Sequence, residues 1–251
     1  MTSPILILGP MASEIDALTA ALSEPQPVTL GGYGGTAGLL DGVPVVTVRC
    51  LIGMVHAAAA TALAAVRFQP RCVIIQGTCG AHDPTLHRGD LVIGSSMIET
   101  GSYYAPHRDA GAGSDWFAYT FPGVQIPADG GSERARRLPS DPALVKLAEA
   151  LPYEHGVKRT GTIGSGDVWN RELDVIDRLH REHGSLCEEM EGFAVAQVCR
   201  MLGVPMLNVR VVGNSEWYPD EDELDESVGR WCQEFCRRLV AEIDRSFRKE
   251  S

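Results

Sequence analysis

Short apolar runs alternate with amphipathic segments along the whole chain. The apolar runs predict buried strands over residues 4–9, 43–50, 73–77, 91–96 and 160–165. Apolar residues three and four positions apart predict helices over residues 11–22, 54–67, 141–151, 171–183 and 223–247. Because strands and helices alternate without a repeat or a linker, we expect one three-layer α/β/α domain over residues 1–251.

Residues 188–217 read as an acidic turn, an apolar helix, a Gly-x-Pro break and an apolar strand. The helix carries a stripe that we expect to face the core, formed by Glu191, Ala194, Val195, Val198 and Leu202. A buried carboxylate needs partners, and the free N–H groups of the helix N-terminus would keep Glu191 ionised as an acceptor. A simple helix cap is the alternative. Because the next strand ends with Arg210 and Asn214, where open α/β sheets bind ligands, we favour a binding site.

Three loops bear on function. Residues 31–38 form a glycine-rich hairpin region that lacks the G-x-x-x-x-G-K-[ST] pattern, which argues against a nucleotide P-loop. Residues 78–81 are small, so backbone there can approach a ligand closely. Residues 101–140 are rich in Gly, Pro, Asp and aromatic residues with little periodicity, which predicts a long loop or lid.

Composition narrows the class of protein. A formal net charge of -11 disfavours nucleic acid and anionic membranes as partners. No apolar run approaches the roughly 18 residues that cross a bilayer, and residues 1–24 lack the features of a signal peptide. The seven cysteines, none in C-x-x-C, predict reduced thiols in a cytoplasmic protein. The histidines have no metal-ligand spacing, so we expect neither a metal nor a cofactor.

Four segments carry a resemblance to a known family. They are ILGPMASE near the start, GTCGAHDPTLHRGDLVIG, GSGDVWN, and EEMEGFAVAQVCRMLGVP followed by VRVVGN. Together they resemble the nucleoside phosphorylase/nucleosidase superfamily and, more narrowly, the methylthioadenosine/S-adenosylhomocysteine nucleosidases. The resemblance covers nearly the whole chain. It implies a twisted mixed central sheet flanked by helices, a purine nucleoside substrate, and a homodimer in which a loop of the neighbour completes the pocket.

The resemblance also implies roles for individual residues. Glu14 falls on the general base that activates the attacking water, and Arg210 falls in the network of that water and the carboxylates, where it would hold Glu14 ionised. Glu191 falls on the acceptor for the ribose 2′- and 3′-hydroxyls. The remaining matches lie near the ribose or the base: Met11, Ile52, Thr78, Trp169 (which would stack on the purine), Asn170 and Met190.

The nucleophile separates the hydrolases of this superfamily from the phosphorylases. Phosphorylases typically bind phosphate with arginines in the first loop and on the strand before the residues corresponding to 78–81. Here those places read GPMASE and VIIQG, and Arg49 alone looks insufficient for a buried dianion. We therefore favour water as nucleophile. A binding module that has lost turnover is a further alternative, but it would not need Glu14 aimed at a water.

Asn214 departs from the nucleosidase pattern, which has aspartate there, and Gly213 replaces its serine. An amide can bind adenine through N7 and the 6-amino group or a 6-oxopurine through O6, but it cannot release a proton. The leaving-group proton would then come from elsewhere, with Glu216 or a water as candidates. We favour adenine and keep a 6-oxopurine nucleosidase, such as a futalosine hydrolase, as the alternative. The substituent on ribose C5′ stays open, with an apolar slot expected from Met11, Ile52 and aromatic residues of the 101–125 loop.

Overall fold

The computed structural model describes residues 3–128 and 130–250, with the side chains at positions 249 and 250 left out. The single-domain prediction also covers residues 1, 2, 129 and 251, which lie outside the described residues. The helices are α1 (Ala12–Ala20), α2 (Met54–Phe68), α3 (Pro142–Ala150), α4 (Leu173–His183), α5 (Gly192–Leu202) and α6 (Gly229–Glu250). The strands are β1 (Ile5–Gly9), β2 (Ser23–Leu30), β3 (Tyr33–Leu40), β4 (Val43–Arg49), β5 (Cys72–Ala81), β6 (Leu91–Glu99), β7 (Val124–Ala128), β8 (Gly131–Ala135), β9 (Arg137–Pro139), β10 (Lys158–Ser165), β11 (Ser185–Glu189) and β12 (Met206–Asn214).

One mixed sheet organises the molecule, in the order β11-β10-β6-β12-β5-β1-β4-β3-β2, with β9 on β6. Its centre is parallel, since β1 pairs in parallel with β4 and β5, and β5 with β12. β6 runs antiparallel to β12. The sheet curls until β11 also pairs with β5, antiparallel, so β5, β12, β6, β10 and β11 close into a ring.

Helices cover both faces of the sheet. One apolar cluster joins β1, β5 and β12 to α1, α3 and α6, and includes Ile7, Ile74, Leu207 and Phe235. A second cluster, on the opposite face, joins the sheet to α2 and α5. Residues Phe235, Leu239 and Ile243 of α6 are fully buried. The predicted three-layer α/β/α arrangement with a mixed central sheet is confirmed.

Several predicted boundaries were wrong. The expected loop over residues 101–140 contains the β7–β8 hairpin and β9, which the irregular composition concealed. The expected acidic turn at residue 188 is the end of β11, a strand that is buried except at Leu186. The last helix begins at Gly229 rather than near residue 223, after a 3-10 turn at Glu226–Val228.

The predicted apolar stripe of α5 is confirmed in part. Ala194 and Val195 are buried as expected, whereas Leu202 is 45% exposed and Phe193, Ala196 and Cys199 are buried in addition. Because α5 is apolar over most of its circumference, periodicity alone does not select the face that packs on α2 and the sheet. Glu191 is buried all the same.

The carboxyl ends of β1, β4, β5, β10, β11 and β12 lead to the predicted site residues, or carry them. Because β1, β4, β5 and β12 are parallel, their carboxyl ends meet at one edge of the sheet. β10 and β11 run in the opposite direction, and the pairing of β11 with β5 in the curled sheet brings β11 next to that edge. No helix in the described part of the chain is long and apolar enough to cross a membrane.

Candidate active site

Glu14 is buried at the start of α1, with 1% of its surface exposed. Its Oε2 accepts from the backbone N–H of Met11 at 2.9 Å, which is the reciprocal half of a capping box. Its Oε1 accepts from the backbone N–H of Thr78 at 2.6 Å and from the Thr78 hydroxyl at 2.8 Å. The carboxylate is therefore both a helix cap and a fixed acceptor at the end of β5.

Gly77 makes room for this carboxylate. A Cβ at Gly77 would lie 2.5 Å from Glu14 Oε1 and 3.0 Å from Arg210 Nη1. Any side chain at position 77 would thus displace one of these groups. The glycine lets the two charges approach the same point of β5.

Arg210 is buried in the middle of this charged cluster, 1% exposed. Nη2 lies 2.6 Å from Glu189 Oε2 and 3.2 Å from Glu191 Oε2, while Nε donates to Asn208 Oδ1 at 2.9 Å. Nη1 donates to the carbonyl oxygen of Thr78 at 3.3 Å. Burial alone would lower the pKa of Arg210, but the carboxylates raise it above its ordinary value.

The charge balance of the cluster requires a proton. Glu14, Glu189 and Glu191 surround a single guanidinium, and excess buried negative charge is costly. Burial raises the pKa of Glu191 to about 8, against the opposing pull of Arg210. Burial also raises the pKa of Glu14, again against Arg210. Desolvation therefore opposes the expected effect of Arg210 and the helix end, which favour the ionised form of these two carboxylates.

Glu189 occupies the helix N-terminus that we had assigned to Glu191. It accepts from the backbone N–H groups of Glu191 and Gly192 at 2.8 Å, and from Arg210. Glu191 stands at the N-cap position of α5, but its side chain accepts from Gly53 N–H at 2.9 Å instead of capping. The role of Glu189 was not predicted. In the sequence, the only signal for it is a second carboxylate two residues before Glu191.

Behind the loop that follows β10 lies a fourth buried carboxylate, Glu188. It accepts from the backbone N–H of Asn170 at 2.7 Å and from the Asn170 side-chain amide at 2.5 Å. His82 Nε2 lies 3.0 Å from the same carboxylate, and its Nδ1 lies 3.0 Å from the Ser185 hydroxyl. Trp169, the neighbour of Asn170, is 52% exposed at the pocket. Glu188 therefore fixes the loop that presents Trp169.

Asn214 ends β12 beside Gly80, which pairs on its other side with Glu188. Asn214 is only 4% exposed, yet its amide has no hydrogen bond to any residue of the described ranges. Its Nδ2 lies 3.4 Å from where a Cβ of Gly80 would stand. A buried amide without a protein partner is a ready binding group for a polar ligand.

Gly213 is the other departure from the nucleosidase pattern, and a side chain from another segment occupies the space beside it. A Cβ there would lie 2.5 Å from Leu224 Cδ1 and 3.3 Å from Thr78 Cβ. Leu224 comes from the segment between β12 and α6 and reaches the pocket wall. The space of the missing side chain at position 213 is thus taken by Leu224.

These groups line one cavity, and the empty space of about 610 Å³ that they enclose includes the open solvent at its mouth. Its lining includes nine of the ten predicted site residues: Met11, Glu14, Ile52, Thr78, Trp169, Met190, Glu191, Arg210 and Asn214. Asn170 does not line the cavity, because its side chain turns back to Glu188. The lining also includes Glu188, Glu189 and Leu224, which the sequence analysis did not assign.

Three further candidates lie outside the cavity lining. The aromatic residues of the 101–125 loop do not line it; they pack on each other and on Arg178 of α4. Glu216 is bound to Arg171, with Nε to Oε1 at 3.1 Å, so it was a wrong candidate for the proton donor. Arg49 is exposed at the end of β4. Within residues 3–128 and 130–250, no cluster of three His, Cys, Asp or Glu side chains has the geometry of a metal site.

Comparisons with known proteins agree on one family. The family model of the phosphorylase superfamily matches residues 4–245. The 5′-methylthioadenosine/S-adenosylhomocysteine nucleosidase of Aeromonas salmonicida is 30% identical over 94% of this chain and 98% of its own.

Solved structures extend this likeness to the fold. The nucleosidase of that name from Neisseria meningitidis, in complex with methylthio-immucillin-A, has a TM-score of 0.78 at 26% identity and covers 95% of this chain and 99% of its own. Futalosine hydrolase of Helicobacter pylori has a TM-score of 0.77 at 25% identity, with coverage of 96% and 98%. The chain belongs to the phosphorylase superfamily, on the branch of the methylthioadenosine/S-adenosylhomocysteine nucleosidases.

Proposed function

We propose that this protein hydrolyses the N-glycosidic bond of 5′-substituted purine nucleosides, such as methylthioadenosine and S-adenosylhomocysteine, and releases the base. The observation that carries the proposal is the position of Glu14. Its carboxylate is buried at the cavity, held on three donors of Met11 and Thr78, and adjacent to Arg210. A carboxylate with a raised pKa, fixed in place, suits a general base. The named nucleosidase relatives support the same reaction.

The reaction assigns a task to each part of the site. Glu14 takes a proton from a water while the water oxygen attacks ribose C1′. The C1′–N9 bond breaks and the base leaves with the bonding electrons. Positive charge develops on the sugar in an oxocarbenium-like state, and the surrounding carboxylates stabilise it. Glu191 accepts from the ribose hydroxyls, and Arg210 holds the carboxylates in place.

The leaving base needs stabilisation at N7. Asn214 donates a hydrogen bond there but has no proton to release. Since Glu216 is engaged by Arg171, the proton comes from solvent water. Trp169 stacks on the purine, and Glu188 holds Asn170 and so the loop behind the ring.

Water rather than phosphate is the nucleophile in this proposal. Arg210 is the only cation in the lining of the described cavity, and it is committed to Glu189, Glu191 and Asn208. The acidic side chains in this lining are the carboxyl groups of Glu14, Glu188, Glu189 and Glu191. A phosphate dianion in such a site would lack a free cationic partner.

A 6-oxopurine substrate is the second candidate, and Asn214 is the observation that favours it. An amide serves O6 of a 6-oxopurine as well as N7 of adenine, and futalosine hydrolase is among the similar structures. If adenine is the base, Asn214→Asp retains or raises activity on methylthioadenosine and shifts its pH profile. If the wild type instead cleaves inosine-type nucleosides and Asn214→Asp abolishes this, the base is a 6-oxopurine.

The 5′ substituent is accommodated by the apolar rim of the cavity. Met11 and Ile52 line it, and Ile52 is 50% exposed. Since the aromatic residues of the 101–125 loop of the same chain do not reach this rim, a loop of a second copy would complete the slot.

We propose a homodimer that covers this rim. The neighbouring helices α2 and α5 expose Val55 at 75%, Val66 at 72% and Met201 at 64%, a surface that a second copy would bury. Light scattering should give twice the chain mass, and Val66→Lys should lower the measured mass.

We also propose that the chain is a single domain and that it resides in the cytoplasm, where its seven free, buried thiols stay reduced.

The central experiment is a purine-release assay with the purified protein. The substrates are methylthioadenosine, S-adenosylhomocysteine, adenosine, inosine and 5′-substituted inosines, each with and without phosphate. Release of adenine together with the free pentose, independent of phosphate, is the expected result. Strict phosphate dependence with sugar-1-phosphate as product would overturn water as the nucleophile. If no base is released from any substrate, the protein is a nucleoside-binding protein without catalytic activity.

A further inference from the structure

Arg171 connects two walls of the cavity that are far apart in sequence. It directly follows the loop that carries Trp169, and its guanidinium meets three carboxylates of the loop after β12. Nε lies 3.1 Å from Glu216 Oε1, Nη2 3.1 Å from Asp222 Oδ2, and Nη1 3.4 Å from Glu223 Oε1. None of these four residues lines the cavity, so their role is not direct contact with a ligand.

The far wall is the segment that bears Leu224. Arg88 joins this segment to the end of β12. Its Nη2 donates to the carbonyl oxygen of Glu223 at 2.8 Å, and its Nε donates to the carbonyl oxygen of Gly213 at 3.1 Å. The backbone N–H of Asp225 donates to the same Gly213 oxygen at 3.0 Å. Leu224 is therefore fixed between two anchored neighbours, with its Cδ1 against Gly213.

The near wall is the loop with Trp169. Asn170 ties it to Glu188 through two hydrogen bonds on the inner side. Arg171 ties it to the acidic segment on the outer side. Glu188 and Arg171 thus hold the near wall, and Arg171 and Arg88 hold the far wall. Arg171 is the residue that joins the two sets of contacts.

The acidic segment needs this cation. Residues 220–226 include six carboxylates in seven positions, in a chain of net charge -11. Such a run usually forms a solvated face, and Glu223 does remain 79% exposed, but Arg88 and Arg171 bind the segment to the rest of the domain. A single exposed ion pair is worth little, but an arginine shared by three carboxylates offsets their mutual repulsion and fixes their position.

We propose that Arg171 is a positioning residue that holds the Trp169 wall and the Leu224 wall at the separation required to grip the purine base. The proposal rests on the proposed function for the identity of the ligand. Arg171 acts through Trp169 and Leu224 and touches neither the base nor the sugar. Its loss weakens base binding and leaves the chemistry at Glu14 in place.

The test compares Arg171→Met with Arg237→Met. Arg237 is the matched control, because its side chain is 49% exposed against 48% for Arg171 and it also pairs with a carboxylate, Asp41. Methylthioadenosine is the probe, since it is uncharged and salt then acts on the protein alone. Arg171→Met should raise KM about threefold or more, with kcat within about twofold, and Arg237→Met should change neither.

Salt supplies a second readout. The KM of the wild type should rise between about 0.05 M and 0.5 M NaCl as the ion pairs are screened, and that of Arg171→Met should stay flat. Arg171→Lys should recover part of the affinity, because a point charge replaces only some of the paired contacts. Equal KM values and equal salt dependence in the wild type and Arg171→Met would overturn the proposal.

Hydrogen exchange of the free protein separates this proposal from the proposed function. Arg171→Met should exchange faster in residues 166–172 and 215–225 than the wild type, whatever the enzyme cleaves. If exchange responds but no nucleoside is hydrolysed, the proposed function fails and the link between the walls stands. If nucleosides are hydrolysed but neither exchange nor KM responds, only the role of Arg171 is wrong.

Discussion

The two ends of the cavity are built on different principles. At one end Glu14, Glu189, Glu191 and Arg210 are almost fully buried, and each carboxylate or guanidinium is held by several partners. At the other end the Asn214 amide has no hydrogen-bonded partner in the described chain, and Trp169 is half exposed. We call the first the closed end, because contacts within the protein already fix its side chains. We call the second the open end, because Asn214 and Trp169 still have polar and aromatic surface available to a ligand.

This difference indicates where the chain is constrained and where it is free to vary. The closed end keeps the charged residues of the family pattern, because Glu14, Glu191 and Arg210 depend on one another for charge balance. Two departures from the nucleosidase pattern, Gly213 and Asn214, fall at the open end, whereas Thr78 beside Glu14 replaces a serine but keeps its hydroxyl. We therefore propose that the closed end carries the chemistry and that the open end determines the specificity for the base.

The largest expected effect tests the closed end. Glu14→Gln keeps the shape of the side chain and its acceptor oxygen but removes the base. We expect hydrolysis to fall about 10³-fold while nucleoside binding is retained. Steady-state turnover and ligand titration by calorimetry measure the two quantities. Unchanged turnover would remove Glu14 from the mechanism and make its burial purely structural.

Stability gives the next test of the closed end. Arg210→Met leaves Glu189 and Glu191 buried without their cation, which should lower the free energy of unfolding by about 3–5 kcal/mol. The control Arg237→Met removes an exposed pair with Asp41 and should cost about 1 kcal/mol or less. Urea denaturation monitored by fluorescence measures both. Equal losses in the two variants would mean that the buried cluster is not interdependent.

The pH dependence of stability should reveal the extra proton. The folded-state pKa of Glu191 is about 8, raised by burial above its ordinary 4.5, so the folded state holds a proton that the unfolded state has lost. The stabilisation from this group is complete below about pH 4.5 and is lost as the pH rises towards 8. The free energy of unfolding should fall over this window.

Glu191→Gln isolates that contribution. The variant cannot ionise at this position, so its stability should decline less than that of the wild type between about pH 5 and 8. Denaturation curves at several pH values measure the difference. Parallel curves for the two proteins would place the proton on another group of the cluster.

The same contrast explains what the sequence could and could not predict. The fold was predictable because strand and helix periods alternate, and the family motifs located nine of the cavity residues. The predicted element boundaries were wrong where an irregular composition gave no periodic signal, as in the β7–β8 hairpin. The predicted cap of the α5 N-terminus was wrong for another reason. Glu189 and Glu191 are equivalent in a linear pattern, and only the backbone path decides which of the two carboxylates caps the helix.

Contacts between distant segments were the least predictable part. Nothing in the sequence places Leu224 against Gly213 or Arg171 against Glu216, because these pairs depend on how the loop after β12 folds back. Likewise, the raised pKa of Glu14 follows from burial, which a motif does not report.

The smallest expected effect concerns the open end, where Gly213 and Leu224 share one space. Restoring the serine of the nucleosidase pattern by Gly213→Ser would place a Cβ 2.5 Å from Leu224 Cδ1, so Leu224 must move and the wall beside Asn214 with it. We expect Gly213→Ser alone to lower kcat/KM about threefold to tenfold, and to be tolerated when combined with Leu224→Ala, with a coupling energy of about 1 kcal/mol. A double-mutant cycle on purine release measures this coupling. Additive effects would show that the glycine is not kept for Leu224, and that the two departures at the open end are independent.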